Sequence, residues 1–158
     1  MKAAAIQPYL QLLDNVWIET RDGDPSALAL FHRHYSYRQR EKPPSLFAGP
    51  GQKMVLVTPG CDALFVWRKF ISGDGQTGVN CAVFRNEGPI RSSVLIREAC
   101  RLAWQRWPGE RLYTYVNPRK IRSTNPGCCF LKAGWRRCGV TKRNKLLILE
   151  CIPAMHGD

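Results

Sequence analysis

The chain has 158 residues, is 44% hydrophobic and carries a formal charge of +12 with a pI of about 9.8. That length and apolar content fit one domain with its own core. No apolar run approaches the ~20 residues of a membrane span, which excludes a membrane-spanning chain. The charge does not specify a fold, but it predicts attraction to nucleic acid, polyphosphate or acidic surfaces. The seven cysteines (Cys61, Cys81, Cys100, Cys128, Cys129, Cys138 and Cys151) are odd in number and form no CxxC. The N-terminal MKAAAIQPYLQLLDN has one lysine and a broken apolar run, a poor signal peptide. The expectation is a reducing, cytoplasmic setting with free thiols. Most of the cysteines then act as small buried hydrophobes. A zinc set drawn from Cys128, Cys129, Cys138 and a histidine is the alternative.

In chain order, VWIET (Val16 to Thr20) reads as a short strand. Asp24-Pro25 supplies an N-cap and a first-turn proline for a helix through SALALFHRHYSY, with Leu28, Phe31 and Tyr35 on one face. Prolines and glycines make Gln39 to Gln52 a loop. Three strands follow, Lys53 to Thr58, Ala63 to Phe70 and Val79 to Arg85, as an antiparallel meander. Pro59-Gly60 suits a type II turn between the first two. A helix from Val94 to Trp107 is predicted next, capped by Ser92 or Ser93, with Val94, Leu95, Ala99, Leu102 and Ala103 inward. Arg111 to Val116 is a strand. Asn125-Pro126 opens a short helix that Gly134 stops. Lys145 to Cys151 is a final strand, with one more available at Trp135 to Val140. The sum is a single α+β (α/β sandwich) domain over residues 1–158, a mostly antiparallel sheet of six to seven strands flanked by helices.

Four groups of residues carry candidate chemistry. The start of the second long helix offers free N–H groups and a partial positive charge, with Ser92, Arg85 and Arg91 beside it, which suits a phosphate. The competing reading is a capped helix with surface arginines. His34 can serve as a general base beside Tyr35, or be an ordinary helix-face histidine. Glu98 and Arg101 are either an i,i+3 ion pair or a carboxylate base with its arginine. Ser123 precedes the short helix and can orient a substrate. Arg111 to Leu149 holds ten Lys/Arg and no Asp/Glu. Within it Arg119, Lys120, Arg122, Arg136, Arg137, Lys142 and Arg143 form a basic set suited to nucleic-acid phosphates, DNA above all. Tyr113, Tyr115 and Trp135 are interleaved with them and expected largely buried.

The element order, together with YTYVNP…NPGCCFLKAGW…LLILE, resembles the Gcn5-related N-acetyltransferase (GNAT) family over Val16 to Cys151. Asn117 to Trp135 and the HRHY segment, His32 to Tyr35, also resemble phage-encoded members, including the Mom DNA-modification proteins. The resemblance implies an acyl-CoA cofactor, with Arg85, Gly88, Arg91 and Ser92 around its pyrophosphate. It implies His34, Tyr35, Glu98, Arg101 and Ser123 at the reacting centre. Two departures stand out. The phosphate loop, Arg85 to Ser93, has one glycine, Gly88, and Phe130 occupies the place of the family's proton-donating tyrosine. The expected function is acyl or related group transfer to an amine, on a nucleic-acid base as in phage DNA modification. The alternatives are an ordinary acetyl-CoA N-acetyltransferase of a small molecule or protein, and a non-catalytic basic protein or phage inhibitor.

Overall fold

The computed structural model describes residues 16–34, 46, 48–49, 51–120 and 127–153. Ten elements follow one another: β1 (Ile18–Thr20), α1 (Pro25–His32), β2 (Gln52–Val57), β3 (Ala63–Lys69), β4 (Val79–Asn86), α2 (Ser92–Arg106), β5 (Leu112–Val116), α3 (Cys128–Lys132), β6 (Arg136–Val140) and β7 (Leu147–Cys151). The strands form one seven-stranded α+β sheet in the order β1-β2-β3-β4-β5-β7-β6. Every neighbouring pair is antiparallel except β4 with β5. That exception follows from chain economy. A crossover helix, α2, joins β4 to β5, and such a connection returns the chain parallel.

The period of two along β2 and β3 splits the core into two layers. Met54, Leu56, Phe65 and Trp67 face α2, which offers Leu95, Ile96, Ala99, Cys100 and Ala103. Val55, Val57, Leu64 and Val66 face the other way, onto Ala27 and Leu30 of α1. Each fully buried aliphatic side chain contributes about 1.5–3 kcal/mol relative to exposure. Two indoles tie α2 to the sheet: Trp17 Nε1 donates to the Leu95 carbonyl at 2.8 Å and Trp67 Nε1 to the Ala99 carbonyl at 2.9 Å.

Asp24 caps α1 as expected, its carboxylate accepting from the Ala27 N–H at 3.1 Å. Other local expectations are corrected. The buried face of α1 is Ala27 and Leu30, with Phe31 packed beside them, rather than one centred on Leu28. On α2 the buried stripe sits one position further round. Ile96 and Cys100 are buried, whereas Val94 is 43% exposed. Arg91, not a serine, is the N-cap of α2, and no side chain caps it. At the β2–β3 turn Cys61 N donates to Thr58 O at 2.8 Å, but the left-handed residue is Cys61 (φ 56) and not Gly60. A type I turn followed by a left-handed residue therefore replaces the type II turn. Gly134 does stop α3, with φ 98. Cys81, Cys100 and Cys151 are core residues as expected, while Cys61 and Cys138 are exposed; all seven thiols are free.

The basic C-terminal third is held together by an acid just beyond it. Glu150, 9% exposed on β7, takes Arg111 Nε at 2.7 Å and Arg136 Nε at 2.8 Å, one from each neighbouring strand. The Arg111 hydrogen bond, with help from Arg136 and against burial, holds the Glu150 carboxyl below its ordinary value. A depressed carboxyl stabilises the fold above the unfolded-state value and loses that contribution as pH falls. Glu150→Gln should lower unfolding stability at neutral pH by about 2 kcal/mol, with the difference from wild type shrinking below pH ~4, checked by urea titration at both pH values.

Candidate functional site

The sheet parts at its centre. β4 and β5 pair in register only at Val79↔Leu112, Asn80↔Tyr113 and Cys81↔Thr114. The Thr114 hydroxyl then donates to the Cys81 carbonyl at 3.0 Å. Beyond that point β4 follows β3 alone. Val66 pairs with Val83 and Trp67 with Cys81, so Ala82 is an extra residue in β4, a bulge that bends the strand. On the α2 face aromatic rings fill the space between the diverging strands. Phe84 meets Phe130 edge-on at 5.9 Å, Phe130 meets Trp135 at 4.8 Å, and Trp135 stacks on Trp67 at 6.3 Å. Phe130 is 6% exposed, so the position the resemblance gives to a proton donor is a packed apolar wall.

The bent end of β4 leads straight to the N-terminus of α2. The Asn86 side chain shapes this turn. Its Nδ2 donates to the Ile90 carbonyl at 2.7 Å and to Ser92 Oγ at 3.0 Å, and its Oδ1 accepts from the Gly88 N–H at 3.0 Å. A Cβ at Gly88 would come too close to the Asp62 carboxylate, which would have to shift. Arg91 and Ser92 thus flank a helix start with no side-chain cap, as the phosphate reading needs. Arg85 is placed differently. Its Nε lies 2.6 Å from Glu87, which also grips Arg33 at 2.7 and 3.0 Å. Arg33 first and then Arg85 lower the Glu87 carboxyl to about 2. Arg85 is therefore part of an ion-pair cluster at this turn, and the Asp62 carboxylate sits against Gly88.

His34 closes the other side of the bent β4. It follows α1, its N–H donating to the Phe31 carbonyl at 2.9 Å. Burial first, and the Arg85 charge second, push its imidazole down to about 4, opposed by a hydrogen bond to the Phe84 backbone. The lowered value favours the uncharged imidazole, which keeps one N–H and one lone pair and is a weaker base than an exposed histidine.

Glu98 and Arg101 are 2.7 Å apart on α2. They lie on the helix side turned away from the buried stripe, in a shallow hollow with Arg97, Trp104 and Gln105. α1 and α2 cover opposite faces of the sheet, so the fold does not bring His34 together with the Glu98–Arg101 pair. Tyr35, Ser123 and Arg122 lie outside the described residues. Of the basic set, Arg119 donates to the Asn144 carbonyl at 2.7 Å, with its N–H on Asn117 Oδ1 and the Lys120 N–H on the Asn117 carbonyl. Arg136 is paired with Glu150 and still 60% exposed along its side chain. Lys142 and Arg143 project from the β6–β7 turn. Arg137 is on edge strand β6. Among the described residues no three His, Cys, Asp or Glu side chains gather as a metal set, and no helix is long and apolar enough to cross a membrane.

Sequence reasoning missed a polar row on the face of the sheet that α1 leaves uncovered. Arg68 on β3 is in register with Asn80 on β4, which is in register with Tyr113 on β5. Beside them the Tyr115 hydroxyl donates to Asp74 and touches Ser72 at 3.1 Å, which tethers the glycine-rich β3–β4 loop. The available signal was Arg68 directly after the apolar run ALFVW. Compared with protein-family models and with curated proteins, the chain matches none.

The His34 shift has a sign. Its folded value lies below the ordinary 6.5, so the folded state resists protonation. Stability is full above pH 6.5 and drains as pH falls toward 4, where the unfolded chain takes the proton first. His34→Gln should remove this loss, so that the gap between the wild-type and variant denaturation midpoints closes or reverses on going from pH 7 to pH 4.5. A gap that stays constant across that range would mean His34 titrates normally.

Proposed function

We propose that the chain is a group-transfer enzyme of GNAT-like architecture, which passes an acyl or related group from a CoA thioester to an amine on a nucleic-acid base. The observation that carries this reading is the parting of parallel β4 and β5 directly ahead of an uncapped helix N-terminus. Backbone groups of β4 beyond Cys81 have no β5 partner, and such groups call for a hydrogen-bonding occupant.

The residues present fit an acyl-CoA in this way. The edge of β4 beyond Cys81, which β5 leaves and where His34 bonds the Phe84 backbone, suits the amide-bearing arm. Arg91 and the first N–H groups of α2 suit its phosphates. When bound, the thioester supplies a carbonyl carbon open to attack by an amine. The protein's part is to bind, dry and deprotonate. Phe84, Phe130 and Trp135 wall the gap from water on one side. With a thioester bound, the amine nitrogen would bond to the carbonyl carbon as the C–S bond breaks, His34 on the Phe84 backbone would take the proton the amine loses, and its acidic imidazolium would return that proton to the departing sulfur. The basic β6–β7 turn and the β5–α3 loop draw in the nucleic acid, and a base within a duplex must be flipped out to react.

Two observations favour a second reading, a basic binding protein on the same scaffold. Phe130 gives no proton to a departing thiolate, and the Asp62 carboxylate lies against Gly88. Mass spectrometry of nucleosides from DNA of cells expressing the protein separates the two. The enzyme reading expects a new base adduct that drops at least tenfold in His34→Ala. An unmodified nucleoside profile, with the biological effect intact in His34→Ala, rejects it for the binding reading.

A further inference from the structure

A groove of about 880 Å³ crosses the sheet face opposite α2, between the β3–β4 loop and the β6–β7 turn. Its floor is apolar and aromatic, with Phe70, Tyr115, Leu146 and Ile148. Its walls carry three cations, Arg68, Lys142 and Arg143, and one carboxylate, Asp74. Asp74 is already engaged by Tyr115 and Ser72. None of the three cations has a carboxylate partner among the described residues. Arg68 is the most telling. Its guanidinium lies 4.0 Å over the Phe70 ring, and burial is the largest influence on it, lowering its basicity.

A second observation points the same way. Arg68 Nε, Asn80 Oδ1 and Tyr113 Oη are buried with no hydrogen-bond partner, and they are successive members of one register row across three strands. Tyr113 is fully buried and Asn80 is 3% exposed. Ser72, which lowers the Tyr113 value against burial, is already engaged with Asp74, Gln76 and Tyr115. Each such orphan costs about 1–3 kcal/mol. A core at this place would be cheaper if it were apolar, and of this row Arg68 is the member that lines the groove.

We propose that this groove holds one unpaired nucleotide of a single-stranded DNA segment, with its phosphate between Lys142 and Arg143 and its base on Tyr115 beside the Arg68 guanidinium. The charge complementarity asks for an anion, and the aromatic floor asks for a planar body next to it. The volume suits a small ligand of nucleotide size rather than a duplex. The inference rests on the nucleic-acid part of the proposed function and names where the acceptor strand would lie.

The test is fluorescence anisotropy at low salt, without any acyl donor, using a labelled oligothymidylate of about 12 nucleotides and the same strand annealed to its complement. The single strand should bind more tightly than the duplex. Lys142→Glu, on an exposed turn, and Arg68→Gln should each weaken single-strand binding about tenfold. Arg97→Glu, on the opposite face, should leave it within about twofold. Should Arg68→Gln fail to fold, Lys142→Glu and Arg143→Glu carry the test. Equal binding of duplex and single strand, or groove variants that bind like wild type, overturns the inference. A groove effect without any base adduct in cells would instead reject the transfer reaction and keep the groove.

Discussion

The structure depends on a parallel ladder only three residue pairs long. Cys81↔Thr114 is the last pair between β4 and β5, and the Ala82 bulge bends β4 away beyond it. The candidate cofactor site is arranged around that parting. α2 starts at the far end of bent β4, His34 closes one face of it, and the Phe84–Phe130–Trp135 rings close the other. A fully zipped pair would leave no unpaired backbone, and so no reason for a ligand there. The aromatic rings fill the space the strands leave. They recover in packing what the sheet loses in hydrogen bonds.

Charge also depends on the fold. A basic window without acids looks like a free polyanion surface when counted along the chain. In three dimensions Glu150 pairs with Arg111 and Arg136, and the Asn144 carbonyl holds Arg119. Lys142 and Arg143, on the β6–β7 turn next to the groove, have no carboxylate partner among the described residues. Similarly, Arg85 joins the Glu87–Arg33 cluster, so Arg91 is left as the arginine that flanks the α2 N-terminus without a carboxylate.

The strands and helices were legible because their periodicities are strong and their stops are explicit: Asp24-Pro25 opens α1 and Gly134 closes α3. Details decided by tertiary packing were not. The stripe of α2 turns by one position because Ile96 and Cys100 meet the sheet that Val94 cannot reach. The left-handed residue of the β2–β3 turn is Cys61, because Thr58 Oγ1 gathers the Asp62 and Ala63 N–H groups behind it. Candidate residues on one helix, such as Glu98 and Arg101, were found as a pair. Their separation from His34 was invisible, since the face each helix covers is set by the crossover and not by local sequence. The Arg68–Asn80–Tyr113 row is illegible for the same reason: its members are neighbours only through strand register.

The most direct measurement of the central claim is calorimetric titration of the purified protein with acetyl-CoA. The gap between β4 and β5, with the helix start beyond it, predicts saturable one-to-one binding in about the micromolar range. It also predicts that Arg91→Glu weakens binding by about tenfold or more. No heat of binding at millimolar acetyl-CoA, from protein whose folded state is intact, would contradict the claim and leave the parted strands as a structural feature alone.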